Sequence, residues 1–73
     1  MISYEPLWKT MKKKGVTSYK LIYQYKVSSN TIRRMKKQKN VTLNTINDLC
    51  NILQCNVSEV IEFTPDEEIE EKE

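Results

Sequence analysis

Apolar positions along the 73-residue chain fall into short clusters at helical spacing, separated by polar turns. Leu7, Trp8 and Met11 place a stripe on a first helix over about Glu5 to Lys14, with Pro6 tolerated in its first turn. Lys12, Lys13 and Lys14 suit a helix C-terminus, and Gly15 ends it. Thr17 is an N-cap for a second helix, Ser18 to about Tyr25, whose inner face uses Leu21 and Ile22 with Tyr25 beside them. A tight turn at Lys26-Val27 leads to Ser28, the cap of a third helix over Ser29 to Gln38 with Ile32 and Met35 inward. After Lys39 to Val41, Thr42 caps a fourth helix, Leu43 to Gln54, with Leu43, Ile46, Leu49, Cys50 and Leu53 as its buried stripe. Asn56 and Val57 form a bend, Ser58 caps a short fifth helix carrying Val60, Ile61 and Phe63, and Pro65 stops it. The expected fold class is all-α, a compact five-helix domain over residues 1–63 followed by a tail over residues 64–73.

The third helix stands apart from the others. Ser29, Asn30, Arg33, Arg34, Lys36 and Lys37 all point outward from an anchor of only two apolar residues. So thin a stripe buries too little surface for packing to be the reason for the helix, so its polar face is expected to meet something.

Charge says what. The net charge of +2 conceals a split: residues 9–39 hold eleven Lys and Arg and no acid, whereas residues 40–73 hold nine acids and one lysine. A stretch of one sign repels itself unless it faces solvent or a polyanion, and a compact basic face is the footprint of a nucleic-acid binder. Two short helices joined by a tight turn, the second polar and basic, meet the description of a helix-turn-helix. An α-helix fits the major groove of B-DNA, and side chains of its first turns reach base edges. Asn bonds adenine in bidentate fashion and Arg bonds guanine likewise, so Ser29, Asn30, Arg33 and Arg34 are the candidate base contacts. Asn30 and Arg34, one turn apart, share a face. Lys36, Lys37 and Lys39 are better suited to phosphate, where lysine acts as a point charge. Tyr19, Ser28 and Thr31 complete the candidate phosphate contacts read from the residues.

Across about Tyr4 to Phe63 the residues carry a resemblance. Val16-Thr17-Ser18-Tyr19-Lys20-Leu21, Val27-Ser28-Ser29-Asn30-Thr31-Ile32, Leu43-Asn44-Thr45-Ile46 and Val57-Ser58-Glu59-Val60-Ile61 together resemble the Cro/CI-type (phage-repressor-like, XRE) helix-turn-helix regulators. The similarity extends to a small stand-alone branch with Leu7-Trp8-Lys9 in helix 1 and Cys50, Leu53 and Cys55 near helix 4. It implies a lambda-repressor-like fold, binding to a double-stranded DNA operator and often a homodimer on a pseudo-palindrome. It also implies base-reading positions at Ser29, Asn30 and Arg34, and phosphate-contacting positions near Ser18 and at Lys39 and Asn40. Two departures stand out. Lys26 occupies the turn position where most members have Gly, at a cost of about 1 kcal/mol if the backbone is left-handed. Ser18 stands where many have Gln, so any contact there is shorter.

Several further readings follow from the residues alone. No histidine, Gly-rich phosphate loop or nucleophile elbow is present, and the acids crowd the tail, which argues against an enzyme. No cofactor, metal or small-molecule ligand is indicated. Cys50 and Cys55 lack a Cys-x-x-Cys spacing and read as small buried hydrophobes, with a redox or interchain role as the alternative. No run approaches the roughly 20 apolar residues of a membrane span, and no signal peptide is evident, so a cytoplasmic protein, nucleoid-associated when bound to DNA, is expected. Val60, Ile61 and Phe63 are the candidate dimer interface. The tail, with six acids in residues 66–73, is expected to be disordered in isolation. The competing reading is a protein–protein adaptor or antitoxin-like module on the same fold, which has no need of an acid-free basic stretch.

Overall fold

The computed structural model describes residues 1–66. Its elements are β1 (Ile2–Ser3), α1 (Glu5–Lys14), α2 (Ser18–Tyr23), α3 (Ser29–Lys36), α4 (Leu43–Leu53), a 3₁₀ turn at Val57–Glu59 and β2 (Glu62–Phe63). The expected disorder beyond Asp66 falls outside the described residues.

Local chemistry starts each of α2 to α4. The Thr17 hydroxyl accepts from the Lys20 amide at 3.1 Å, the Ser28 hydroxyl from Asn30 at 3.1 Å, and the Thr42 hydroxyl from Thr45 at 3.2 Å. Each cap satisfies an amide that the first turn leaves without a partner, a contribution of about 1 kcal/mol. A left-handed residue follows every helix: Gly15 (φ 68°), Lys26 (59°), Gln38 (57°) and Gln54 (52°). Only the first is a glycine. The helices accordingly stop a little short of the expected ends, with α2 closing at Tyr23, α3 at Lys36 and α4 at Leu53.

The core gathers one to three residues from each α-helix, Leu7, Met11, Leu21, Ile32, Met35, Ile46, Leu49 and Leu53, with Tyr4 before α1 and Val60 after the 3₁₀ turn. Leu7, Leu21, Met35, Leu49 and Val60 are fully enclosed. Each such side chain contributes about 1.5–3 kcal/mol relative to exposure. Trp8, Ile22, Cys50 and Cys55 pack half-buried around this cluster. Leu43 does not join it. At 83% exposed it sits on the first turn of α4, which runs past the end of the buried cluster. Tyr25 is 40% exposed, beyond the last turn of α2.

The fifth helix is replaced by other structure. Asn56, not Ser58, opens the segment: its amide donates to the Glu59 carboxylate at 3.0 Å around the single 3₁₀ turn. Glu62 and Phe63 then run extended, with Ile2 opposite Phe63 and Ser3 opposite Glu62 in an antiparallel pair. The Val60 and Ile61 amides still donate back to the Val57 carbonyl at 2.9 and 3.0 Å, with Val60 in helical backbone, and the chain becomes extended only at Glu62, where pairing with the N-terminal strand takes the place of another helical turn. The fold is thus four α-helices closed by a short two-stranded ribbon. Val60 is drawn wholly into the core, so of the three apolar residues expected on a fifth helix only Ile61, half-buried, and Phe63, 65% exposed, reach the surface.

Two buried polar side chains tie the ends together. The Thr10 hydroxyl donates to the Glu59 carbonyl at 2.8 Å, binding α1 to the 3₁₀ turn. The Tyr4 hydroxyl donates to the Lys39 carbonyl at 2.7 Å, binding the start of the chain to the loop between α3 and α4. Neither residue was marked by the helical periodicity.

Candidate nucleic-acid interface

The α2–α3 pair is positioned from beneath. Leu21 of α2 and Ile32 and Met35 of α3 are buried in the common core, and Val27 in the turn is half-buried against it. The Val27 amide donates back to the Leu21 carbonyl at 2.8 Å, so the turn is closed by backbone bonding around the left-handed Lys26. The departure noted in the sequence is therefore met by strain, and the turn forms without glycine.

With its anchor buried, α3 turns the rest of its surface outward. Ser29, Asn30, Arg33, Arg34, Lys36 and Lys37 are exposed, as are Ser28 before it and Lys39 and Asn40 after it. Thr31 is half-buried and lines a groove with Arg34, Asn40, Val41, Thr42 and Thr45. Ser18 is half-buried at the start of α2, and Tyr19 is 70% exposed on the next position. Among the described residues the one ion pair joins the terminal amine of Met1 to Asp66 at 2.9 Å, so no carboxylate there engages the cations of α1 to α3.

The far end of α3 is built with some care. The Lys39 amide donates to the Arg34 carbonyl at 2.8 Å and the Gln38 amide to Met35 at 3.0 Å, the paired bonds of a Schellman cap around left-handed Gln38. The same loop reaches the Arg34 side chain, whose Nε donates to the Asn40 carbonyl at 3.0 Å. One edge of the guanidinium is thereby held while the residue as a whole stays exposed. Tyr4, holding Lys39 from below, is a positioning residue that the pattern of the chain did not disclose.

On α2, Tyr19 and Tyr23 stack at 4.7 Å between ring centroids with a 41° tilt. Tyr23, Lys20 and Lys26 are exposed and extend the basic, aromatic surface beyond the residues expected to make contacts. The Lys20 ammonium also caps the Gly15 carbonyl at 3.4 Å.

A short connection, Gln24 to Ser28, between two packed helices, with the second presenting two arginines, a lysine and an asparagine to solvent and Lys37 at its end, defines a helix-turn-helix DNA-binding fold. The chain belongs to the Cro/C1-type HTH DNA-binding family, whose model matches residues 6–66. Its structure is similar to the crystal structure of the transcriptional regulator VanUg, with a TM-score of 0.79 and 29% identity over 89% of this chain and 87% of that one. No curated protein sequence matches it significantly. Among the described residues no helix is long and apolar enough to cross a membrane, and no three potential metal ligands come together.

Proposed function

We propose that this protein is a transcriptional regulator that binds a specific double-stranded DNA operator with α3 in the major groove, and that its output is repression. The observation that carries this is α3 itself: a helix fixed by two buried side chains, Ile32 and Met35, whose remaining surface is polar, cationic and exposed. In this reading Ser29, Asn30, Arg33 and Arg34 read bases, while Ser18, Tyr19, Ser28, Thr31, Lys36, Lys37, Lys39 and Asn40 hold the backbone. Backbone contacts set the register of the helix and base contacts supply the sequence preference. Repression is the output that a DNA-binding unit delivers by occupying its site, and the resemblance to a transcriptional regulator supports a regulatory role.

The protein acts as a homodimer at a pseudo-palindrome, with half-sites about 34 Å apart. Exposed Phe63 and half-buried Ile61 lie at the ribbon, where Ile2 and Leu43 are also exposed, and these supply apolar surface for a symmetric contact. The protein works in the cytoplasm, on the nucleoid.

The test is titration of a fluorescent duplex library by anisotropy at low salt, followed by selection of the bound sequences. Binding should enrich an inverted repeat, and log K should fall with log salt by about 0.9 per neutralised phosphate. Failure to bind any duplex at low ionic strength would remove this reading in favour of a protein–protein adaptor.

A further inference from the structure

Helix α4 ends at the left-handed residue Gln54, and the amides of Gln54 and Cys55 both donate to the Cys50 carbonyl, the second at 3.1 Å. This places Cys50 three residues before the last helical residue, Leu53, and Cys55 two residues past it. In a Schellman-type cap the side chains at those two positions meet, usually as a hydrophobic contact. Here both of those positions hold cysteines. Both are free and half-buried, and both line one open groove with Asn51, Gln54, Asn56 and Glu59. The groove is a wide, open depression of about 320 Å³, so its lining is reached from solvent. Lys14 reaches the same corner, donating to the Gln54 carbonyl at 3.4 Å. The thiol of Cys55 is raised above its ordinary pKa by burial first, then by Cys50 and Glu59, with Lys14 opposing, which also sets the two sulfurs within each other's field.

From the cap geometry we infer that Cys50 and Cys55 form a dithiol site that closes to an intramolecular disulfide by exchange with small-molecule disulfides. One cysteine thiolate attacks a sulfur of the small disulfide, forming a mixed disulfide and expelling one small thiolate. The second cysteine thiolate then attacks the protein sulfur of that mixed disulfide, forming the Cys50–Cys55 bond and expelling the other small thiolate. Two protein thiols are oxidised, the small disulfide is reduced to two thiols, and these take up the two protons. The cap favours the second step because it holds the resolving sulfur beside the mixed disulfide before reaction. Neither cysteine lies in α2 or α3, so the site is separate from the candidate DNA-reading helix.

The experiment is oxidation of the full-length protein with oxidised glutathione, followed by intact mass and non-reducing peptide mapping, in buffer and in denaturant. Residues five apart also meet in an unfolded chain, so the comparison isolates what the cap contributes. The expected product in buffer is a monomer lacking two hydrogens, and the mixed disulfide should be resolved at least about tenfold faster than in denaturant. Cys50→Ser and Cys55→Ser should each stop at a mixed disulfide. Accumulation of a doubly glutathionylated or interchain-linked wild-type protein would overturn the proposal, as would resolution no faster in buffer than in denaturant.

Discussion

Arg34 Nε donates to the Asn40 carbonyl at 3.0 Å, so a side chain proposed to read a base is fastened to the loop that follows α3. A guanidinium free to rotate loses rotamer freedom on binding, at about 0.5–1.5 kcal/mol for such a side chain. Holding one edge in advance reduces that loss and leaves the Nη groups to form a bidentate pair. If the proposed roles hold, Arg34→Lys keeps the charge but loses both the loop contact and the fork. Discrimination between the selected operator and a scrambled duplex should fall by about 1–3 kcal/mol, with little change in low-salt affinity for the scrambled one. Lys37→Ala should weaken all duplexes alike and reduce the salt slope by about one. Anisotropy titrations over a salt series separate the two patterns.

Lys26 holds a left-handed backbone at φ 59° in the turn before α3. A Cβ in that region costs about 1–2 kcal/mol, and glycine gives back part of the gain through its larger unfolded-state entropy. Lys26→Gly should therefore stabilise the fold by up to about 1 kcal/mol, a rise in Tm of about 4–8 °C per kcal/mol in a domain this small. Gly15→Ala should do the reverse by a similar amount. An added Cβ there meets nothing within 4 Å, so the whole effect is backbone strain at φ 68°. Thermal denaturation followed by circular dichroism reads both.

Tyr4→Phe removes the hydroxyl that holds the Lys39 carbonyl at 2.7 Å and keeps the buried ring. Loss of a part-buried hydrogen bond with one partner left behind costs about 1–3 kcal/mol. The change should appear both as reduced stability in urea and as faster amide exchange in residues 38–42. Lost stability without faster exchange in that loop would show that Tyr4 supports the core alone.

The raised pKa of Cys55 carries a sign that can be checked. Burial favours the neutral thiol, with Cys50 and Glu59 adding to the effect and Lys14 opposing it. A neutral alkylating reagent should therefore modify Cys55 more slowly at mildly alkaline pH than an unfolded cysteine. A folded pKa above the unfolded one also means that this contribution to stability is complete below the unfolded value. It should be lost as pH rises through the folded one. Rates read at Cys55 by tandem mass spectrometry of the wild-type protein check this, and the effect should shrink in Cys50→Ser, which removes one of its causes.

Much of the helical framework could be read directly. Thr17, Ser28 and Thr42 were identifiable as caps because a hydroxyl reaches an amide two or three residues on, an interaction that needs no distant partner. The outward face of α3 was equally plain, since a stripe of two apolar residues leaves the rest of a helix nowhere else to point. The helix ends were less legible. Gly15 advertised its left-handed conformation, whereas Gln38 and Gln54 adopt it with no such sign, driven by the carbonyls their neighbours must satisfy.

Sequence by itself determined the order and type of the first four helices, the basic side of the molecule and the Cro/C1-type pattern, all of which rest on spacing within a few residues. Only the tertiary structure decided the rest. The segment after Asn56 has apolar residues that suit a helix, but an N-terminal strand lies within reach and pairs with it, a choice set by residues some sixty positions away. Leu43 fits the stripe of α4 by spacing and misses the core because the first turn runs beyond it. Tyr4 and Thr10 gained their roles from carbonyls that folding brought to them. Periodicity tells which face of a helix is apolar; which groups meet that face depends on contacts between distant parts of the chain.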